Sequence, residues 1–194
     1  MDALLAAAER MITEQRDATV DEIAEDAGVA VGSIYNHFGS KSGLLAAAID
    51  RALDTDADYM NRAYTPDRSP LEQILAAGEE YIRFYFDHPT FFRMLAFPPD
   101  PGQYAAGHNV AERMGRRVAE QNARLADAVA RAVAEGIIRP VDPEQVTTIL
   151  WAALNGIMSL AWRPDSMRRS EAEVRELIAA MDQIVALGLI PRDE

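Results

Sequence analysis

The chain has 194 residues, is 49% hydrophobic and 7% aromatic, holds no cysteine and carries a net charge of −12. That much apolar material supports a packed core and excludes disorder, while the missing cysteines exclude disulfides, thiolate metal sites and cysteine nucleophiles. The acidic start Met1-Asp2 and the lack of any apolar run near ~18 residues lead us to expect neither a signal peptide nor a membrane span, and therefore a cytoplasmic protein.

Unbranched Ala, Leu, Glu and Arg dominate and lose little rotamer freedom in a helix, so the fold class expected is all-α. Asp2 to about Gln15 carries Leu4, Leu5, Ala8, Met11 and Ile12 at helical spacing, with Asp2 placed to cap. Thr19 and Glu22 form a capping box opening a second helix, which stops at Gly28. A short third helix runs from about Ala30 through Ile34 and Phe38. Gly39 ends it, and Ser40 caps a long fourth helix through Leu44, Leu45, Ile49 and Leu53. From Asp54 to Ser69 the chain turns polar and reads as a fraying helix end plus a loop.

Ser69-Pro70 opens a helix running to about Asp87, where Pro89 stops His88 from continuing comfortably. A short helix from about Thr90 to Phe97 precedes Pro98, Pro99, Pro101 and Gly102, the strongest break in the chain. Helical spacing resumes between Ala105 and Asn109, closes at Gly136, restarts at Asp142-Pro143 as far as Trp162, and returns from Glu171 to Leu187 with Gly188 as its stop. This predicts about nine helices and no strand.

Residues 1–50 contain nine acids against three bases (Arg10, Arg16, Lys41), a net of −6. A basic patch is therefore not the basis for any nucleic-acid reading. The basis is a motif. Two short helices separated by a tight turn at Gly28 make a helix-turn-helix, and Gly28 supplies the positive φ such a turn requires. Val29, Ile34 and Phe38 are expected to lock the third helix onto the first two. Gly32 lacks a Cβ and would let that helix approach DNA closely.

These residues resemble the TetR family of one-component repressors. The matching run is Thr19-Val20-Asp21-Glu22-Ile23-Ala24, Ala27-Gly28-Val29, Gly32-Ser33-Ile34-Tyr35-Asn36-His37-Phe38, Ser40-Lys41 and Leu44-Leu45. The resemblance implies a helix-turn-helix DNA-binding domain over residues 1–45 and a helical ligand-binding and dimerisation domain over 46–194. It implies a repressor that binds a palindromic double-stranded operator as a homodimer and is released by a small effector. Val31 and Asn36 are expected to face base edges, with Gly32 allowing the approach, while Thr19, Ser33, Tyr35, His37 and Lys41 hold phosphates. Lys41 is the only lysine in the chain and stands where the family places a phosphate-contacting lysine. Helices one and two are acidic, and the basic segment usual ahead of helix one is missing, so weak non-specific DNA affinity is expected.

Tyr81, Phe84, Tyr85, Phe91, Phe92, Met94 and Phe97 crowd one stretch, and Met114, Trp151, Met158 and Trp162 lie on other helices. Most such residues are ordinary core. The functional expectation is an apolar or amphipathic effector bound by Phe84, Met94, Met114, Trp151, Asn155 and Met158, with Tyr81 or Tyr85 as a second polar contact. The helices at about 143–162 and 171–187 carry apolar residues on more than one face, which points to the dimer interface. His37, His88 and His108 are scattered without clustered carboxylates, so neither a metal nor another cofactor is expected.

An enzyme is not expected, since the chain shows no phosphate loop, nucleophile elbow, HExxH or dinucleotide glycine pattern. The alternatives are a helix-turn-helix protein without an effector, or an interaction module that has lost its DNA contacts.

Overall fold

The computed structural model describes residues 1–14, 16–96 and 107–189. Within them lie α1 (Asp2–Thr13), α2 (Val20–Asp26), α3 (Gly32–Phe38), α4 (Lys41–Ala63), α5 (Pro70–Asp87), α6 (Pro89–Ala96), α7 (Gly107–Ala134), α8 (Pro143–Ser159) and α9 (Glu171–Leu189). A single 3-10 turn follows α8 at Leu160–Trp162, and the described residues contain no strand. The fold is all-α, as the composition and spacing predict. Gln15, Phe97 and the break at 98–102 fall outside the described residues, as does the side chain of His108. Among the described residues, no helix is long and apolar enough to cross a membrane.

Short-range chemistry sets most helix ends. The Thr19 hydroxyl accepts from the Glu22 amide at 3.3 Å, and the Glu22 carboxylate accepts from the Thr19 amide at 2.6 Å, completing the box that opens α2. The Thr19 amide, and after it the Thr19 hydroxyl, donate to the Glu22 carboxylate and hold it below the usual carboxylate range. Ser69 with Glu72 and Ser170 with Glu173 repeat the arrangement at α5 and α9, and Asp142 accepts from the Gln145 amide at 3.0 Å to open α8. Two expectations change. Asp2 does not cap α1 but sits in its first turn behind Met1, where a negative charge suits the helix dipole. Gly188 does not stop α9, which runs on to Leu189, whose carbonyl accepts from the Arg139 amide at 3.0 Å.

By packing, the chain forms two compact units. The first is Met1–Arg62 with Glu79–Ala119, and the second is Ala63–Gly78 with Glu120–Glu194. In the first, α1 packs on α2 and α6. Its core gathers Leu4, Met11 and Ile12 from α1, Ile23 from α2, Ile34 from α3 and Leu44, Leu45 and Ile49 from α4, and it takes in Met94 of α6 and Met114 of α7. In the second unit, Val129, Ala132 and Ile138 centre a core joined by Ile74, Leu125, Val146 and Leu189, and α8 packs on α9.

Inside the first unit, α4 and α7 are also tied by charge. Arg113 meets Asp50 at 3.1 Å and Arg117 meets Asp54 at 3.9 Å, two rungs one helical turn apart.

Candidate functional site

The α2–α3 turn is built as the sequence requires. Gly28 has φ 66°, and the Val29 amide turns back to the Ala24 carbonyl at 3.0 Å. Ile34 is fully buried, and Phe38 packs partly buried against the same core. Val29 differs from expectation. It is 37% exposed, because the turn leaves its side chain outward and the lock falls to Ile34 with Phe38. After α3, a Cβ on Gly43 would collide with the Phe38 carbonyl oxygen, so that close approach demands glycine.

Fixing Ile34 inward presents the opposite side of α3 to solvent. Tyr35 is 53% exposed, and Asn36 and His37 are exposed with it, while Ser33 is half-buried. Val31, directly ahead of the helix, is half-buried and packs against the core, so only part of its side chain faces outward. A Cβ on Gly32 would meet nothing within 4 Å. The fold therefore makes no demand for glycine there, and a bare backbone at that position matters only to something approaching from outside.

The electrostatics are unusual for a surface of this shape. The Lys41 ammonium donates to the Asp17 carboxylate at 2.6 Å, Arg10 pairs with Asp26 at 2.9 Å, and the Thr19 hydroxyl and amide are both engaged by Glu22. Of the residues expected to meet phosphate, Lys41 and Thr19 are thus engaged by carboxylates.

Of the expected effector contacts, Tyr81, Phe84, Tyr85, Met94 and Met114 belong to the first unit. Phe92 is a hub there, with ring centroids 5.3 Å from Tyr81, 6.2 Å from Phe84 and 5.1 Å from Tyr85. Phe84 is 1% exposed and also lies 5.6 Å from Tyr59, whose hydroxyl donates to Asp87 at 2.8 Å. Met94 and Met114 are built into the core that supports α1 to α4. Trp151, Asn155 and Met158 belong to the second unit. They share the inner face of α8, where Trp151 is half-buried, Asn155 is 7% exposed and Met158 is fully buried.

Sequence reasoning overlooked two polar groups. Thr147 is 1% exposed on that same face of α8, and its hydroxyl finds no hydrogen-bond partner among the described residues. Asp56 on α4 is buried, and desolvation pushes its carboxyl up to about 6 against the pull of the Arg117 guanidinium. Among the described residues no group of His, Asp and Glu is arranged to hold a metal ion.

The outer faces of α8 and α9 remain apolar. Ile149 is 63% exposed, Leu177 38%, Ile184 71% and Leu187 74%, with exposed Ala152 and Gly156 continuing the α8 face and Ala180 the α9 face. Exposed apolar side chains along two helices that pack together are what a self-association surface presents.

Residues 4–48 match the family model described as "Bacterial regulatory proteins, tetR family", and residues 74–183 match "Tetracyclin repressor-like, C-terminal domain". The HTH-type transcriptional regulator RutR of Escherichia coli (strain K12) is 24% identical over 181 residues, covering 89% of this chain and 81% of RutR. The ketosteroid transcriptional regulator KstR2 of Mycobacterium tuberculosis superposes with a TM-score of 0.75 at 21% identity, covering 97% of this chain and 94% of KstR2. AibR, solved in complex with isovaleryl coenzyme A and operator DNA, superposes with a TM-score of 0.72 at 19% identity over 94% of this chain and 96% of AibR.

Proposed function

Because the chain belongs to the TetR family of bacterial regulatory proteins, we propose that it is a ligand-responsive transcription repressor of the cytoplasm. It binds a palindromic operator as a homodimer and is released by a small effector. The observation that carries this reading is α3 itself. Its inner residue Ile34 is fully buried, its outer residues Tyr35, Asn36 and His37 are exposed, and the glycine at its start serves no packing need. The reading keeps DNA recognition in residues 1–45 and gives effector binding and dimerisation to 46–194. The two family models, matching 4–48 and 74–183, support that division. AibR supports the pairing of operator and effector in one protein of this fold.

Asn36 reads an adenine edge and Val31 a thymine methyl, while Thr19, Ser33, Tyr35, His37 and Lys41 position the phosphates. The test is a fluorescence-anisotropy titration with the DNA upstream of the protein's own gene. Tyr35→Ala with Lys41→Ala is expected to weaken operator binding by about 100-fold, two contacts at roughly 1–2 kcal/mol each. Unchanged affinity in that double variant would reject α3 as the reading helix. Asn36→Ala is expected to relax preference at one base pair only.

The Lys41–Asp17 pair gives a prediction of opposite sign. Phosphate must displace Asp17 to reach the Lys41 ammonium, 2.6 Å from its carboxylate. Asp17→Asn is expected to tighten binding to all DNA sequences a few-fold, most at low salt. Weaker binding in Asp17→Asn would mean that the carboxylate orients Lys41 rather than competing for it.

The exposed apolar faces of α8 and α9 support dimerisation there, and two-fold pairing spaces two α3 helices on successive major grooves. Phe84, Tyr81, Tyr85, Met94 and Met114, and separately Trp151, Asn155 and Met158, are the candidate effector contacts. An effector releases DNA only to the extent that it binds the two states differently.

A further inference from the structure

Asp56 stands where the core stripe of α4 continues on either side of it. Ile49, Ala52 and Leu53 before it and Tyr59 and Met60 after it fall at helical spacing of three and four residues, and none is more than 8% exposed. Asp56 is itself 8% exposed. A carboxylate in such a stripe loses its water, and proteins ordinarily compensate with hydrogen bonds or a dedicated ion pair.

This chain does so elsewhere. Buried Glu9 accepts from the Arg51 guanidinium at 2.8 Å, and buried Glu80 from Arg83 at 2.7 Å. Among the described residues, none donates a hydrogen bond to Asp56. The cation whose field reaches it is Arg117 of α7, and that guanidinium also lies 3.9 Å from Asp54. One guanidinium faces two carboxylates, which leaves the inner one short of positive charge. One turn along α4, the Tyr59 ring packs 5.6 Å from Phe84 and 4.5 Å from the Arg62 guanidinium, so an aromatic pair that already meets one cation lies a turn from the acid.

We propose that Asp56 anchors the effector, and that the effector is an amphipathic cation: a protonated nitrogen that meets the Asp56 carboxylate, on an apolar or aromatic body that packs beside Tyr59 and Phe84. This rests on the effector-released reading above and narrows it to a chemical class. The nitrogen supplies both the missing charge and the missing hydrogen bond. A neutral analogue supplies at most the second, and an anionic one opposes the first.

The test uses the full chain and three probes sharing a naphthalene body: naphthylmethylamine, naphthalenemethanol and naphthoic acid. By calorimetric titration, the amine is expected to bind at least ~10-fold more tightly than the alcohol, with the acid weakest. In Asp56→Asn that preference disappears while the alcohol keeps its affinity. In Asp58→Asn, an exposed carboxylate two residues on that controls for net charge, the preference persists. Equal affinity for amine and alcohol in the unaltered protein, a preference that survives Asp56→Asn, or no amine binding at millimolar concentration each overturns the proposal. Operator titrations of the same samples separate the two readings. A protein that binds operator but lacks amine selectivity loses this inference alone, whereas failure to bind any upstream DNA removes the repressor reading whatever the probes do.

Discussion

Replacing Ile184 and Leu187 together by arginine is expected to yield a monomer that no longer holds operator DNA. Both side chains are more than two-thirds exposed on α9, at 71% and 74%. Their i,i+3 spacing puts them on one face with Leu177 and Ala180. At a two-fold interface each substitution acts twice. Roughly 1.5–3 kcal/mol is lost for each apolar side chain that can no longer be buried, and the new guanidiniums repel across the axis. The combined loss, four side chains at that value or roughly 6–12 kcal/mol, is comparable to the ~8–12 kcal/mol that holds a micromolar-to-nanomolar dimer together. A single helix-turn-helix then reads one half-site, and affinity falls to the non-specific level, at least ~1000-fold weaker. Light scattering at micromolar concentration reads the first effect and anisotropy the second. Leu75→Arg, a control at a 58% exposed leucine on α5, is expected to remain dimeric. A double arginine variant that still scatters as a dimer would move the interface away from α9.

Asp56→Asn is expected to stabilise the protein by on the order of 3 kcal/mol near pH 7, since burial raises the carboxyl from 3.8 to about 6. Above pH 6 the group is ionised in both folded and unfolded chains, and the fold bears the whole cost of desolvating it. Between about pH 6 and 4 the folded chain takes up a proton that the unfolded chain does not, so this group's penalty shrinks as pH falls. Below its free value both states are protonated and the penalty is gone. Urea unfolding of the parent and the variant should therefore diverge at pH 7.5 and converge near pH 4. A difference in stability that stays constant across that range would show that Asp56 is not desolvated in the fold. A cationic effector stabilises the parent by the same route, supplying at neutral pH what a proton supplies in acid.

The two Asp56 experiments concern a residue that the sequence gives no local reason to notice. It lies within a segment whose many charges read as a fraying helix end. Only the continuation of the Leu45–Ile49–Leu53 spacing through Tyr59 and Met60 puts it in line with the core, and that requires knowing that α4 runs unbroken to Ala63. What was legible at once is what rests on contacts within four residues: the Thr19–Glu22 box, the turn at Gly28, the buried Ile34 and the Asp142 cap. What was not legible depends on distant partners. Gly188 looks like a stop, yet α9 passes through it and its last carbonyl is satisfied by Arg139, some fifty residues away in sequence. Lys41 stands out in its motif as a candidate phosphate contact, but its partner Asp17 lies 24 residues earlier, and only the folded chain brings the two together. Trp151 and Asn155 fall on one face of α8 by spacing alone, whereas the silent hydroxyl of Thr147 on the same face has no signature in sequence.

Met94 and Met114 bear on how this protein can be taken apart. The core beneath α1 to α4 is completed by these two side chains from α6 and α7, with Phe91 and Leu95 packed partly buried against it. A reading head cut at residue 45 and fused to a foreign sensor would keep Leu4, Met11 and Ile34 but lose Ile49 and Leu53 of α4, as well as Met94 and Met114, from around them. Interchanging heads and sensors between related repressors is therefore not a matter of choosing a loop to cut. A graft that keeps its shape would have to bring α6 and the start of α7 with it, or rebuild that apolar floor from the recipient's own helices. The same seam makes residues far from any DNA contact part of what a given head needs in order to read its operator.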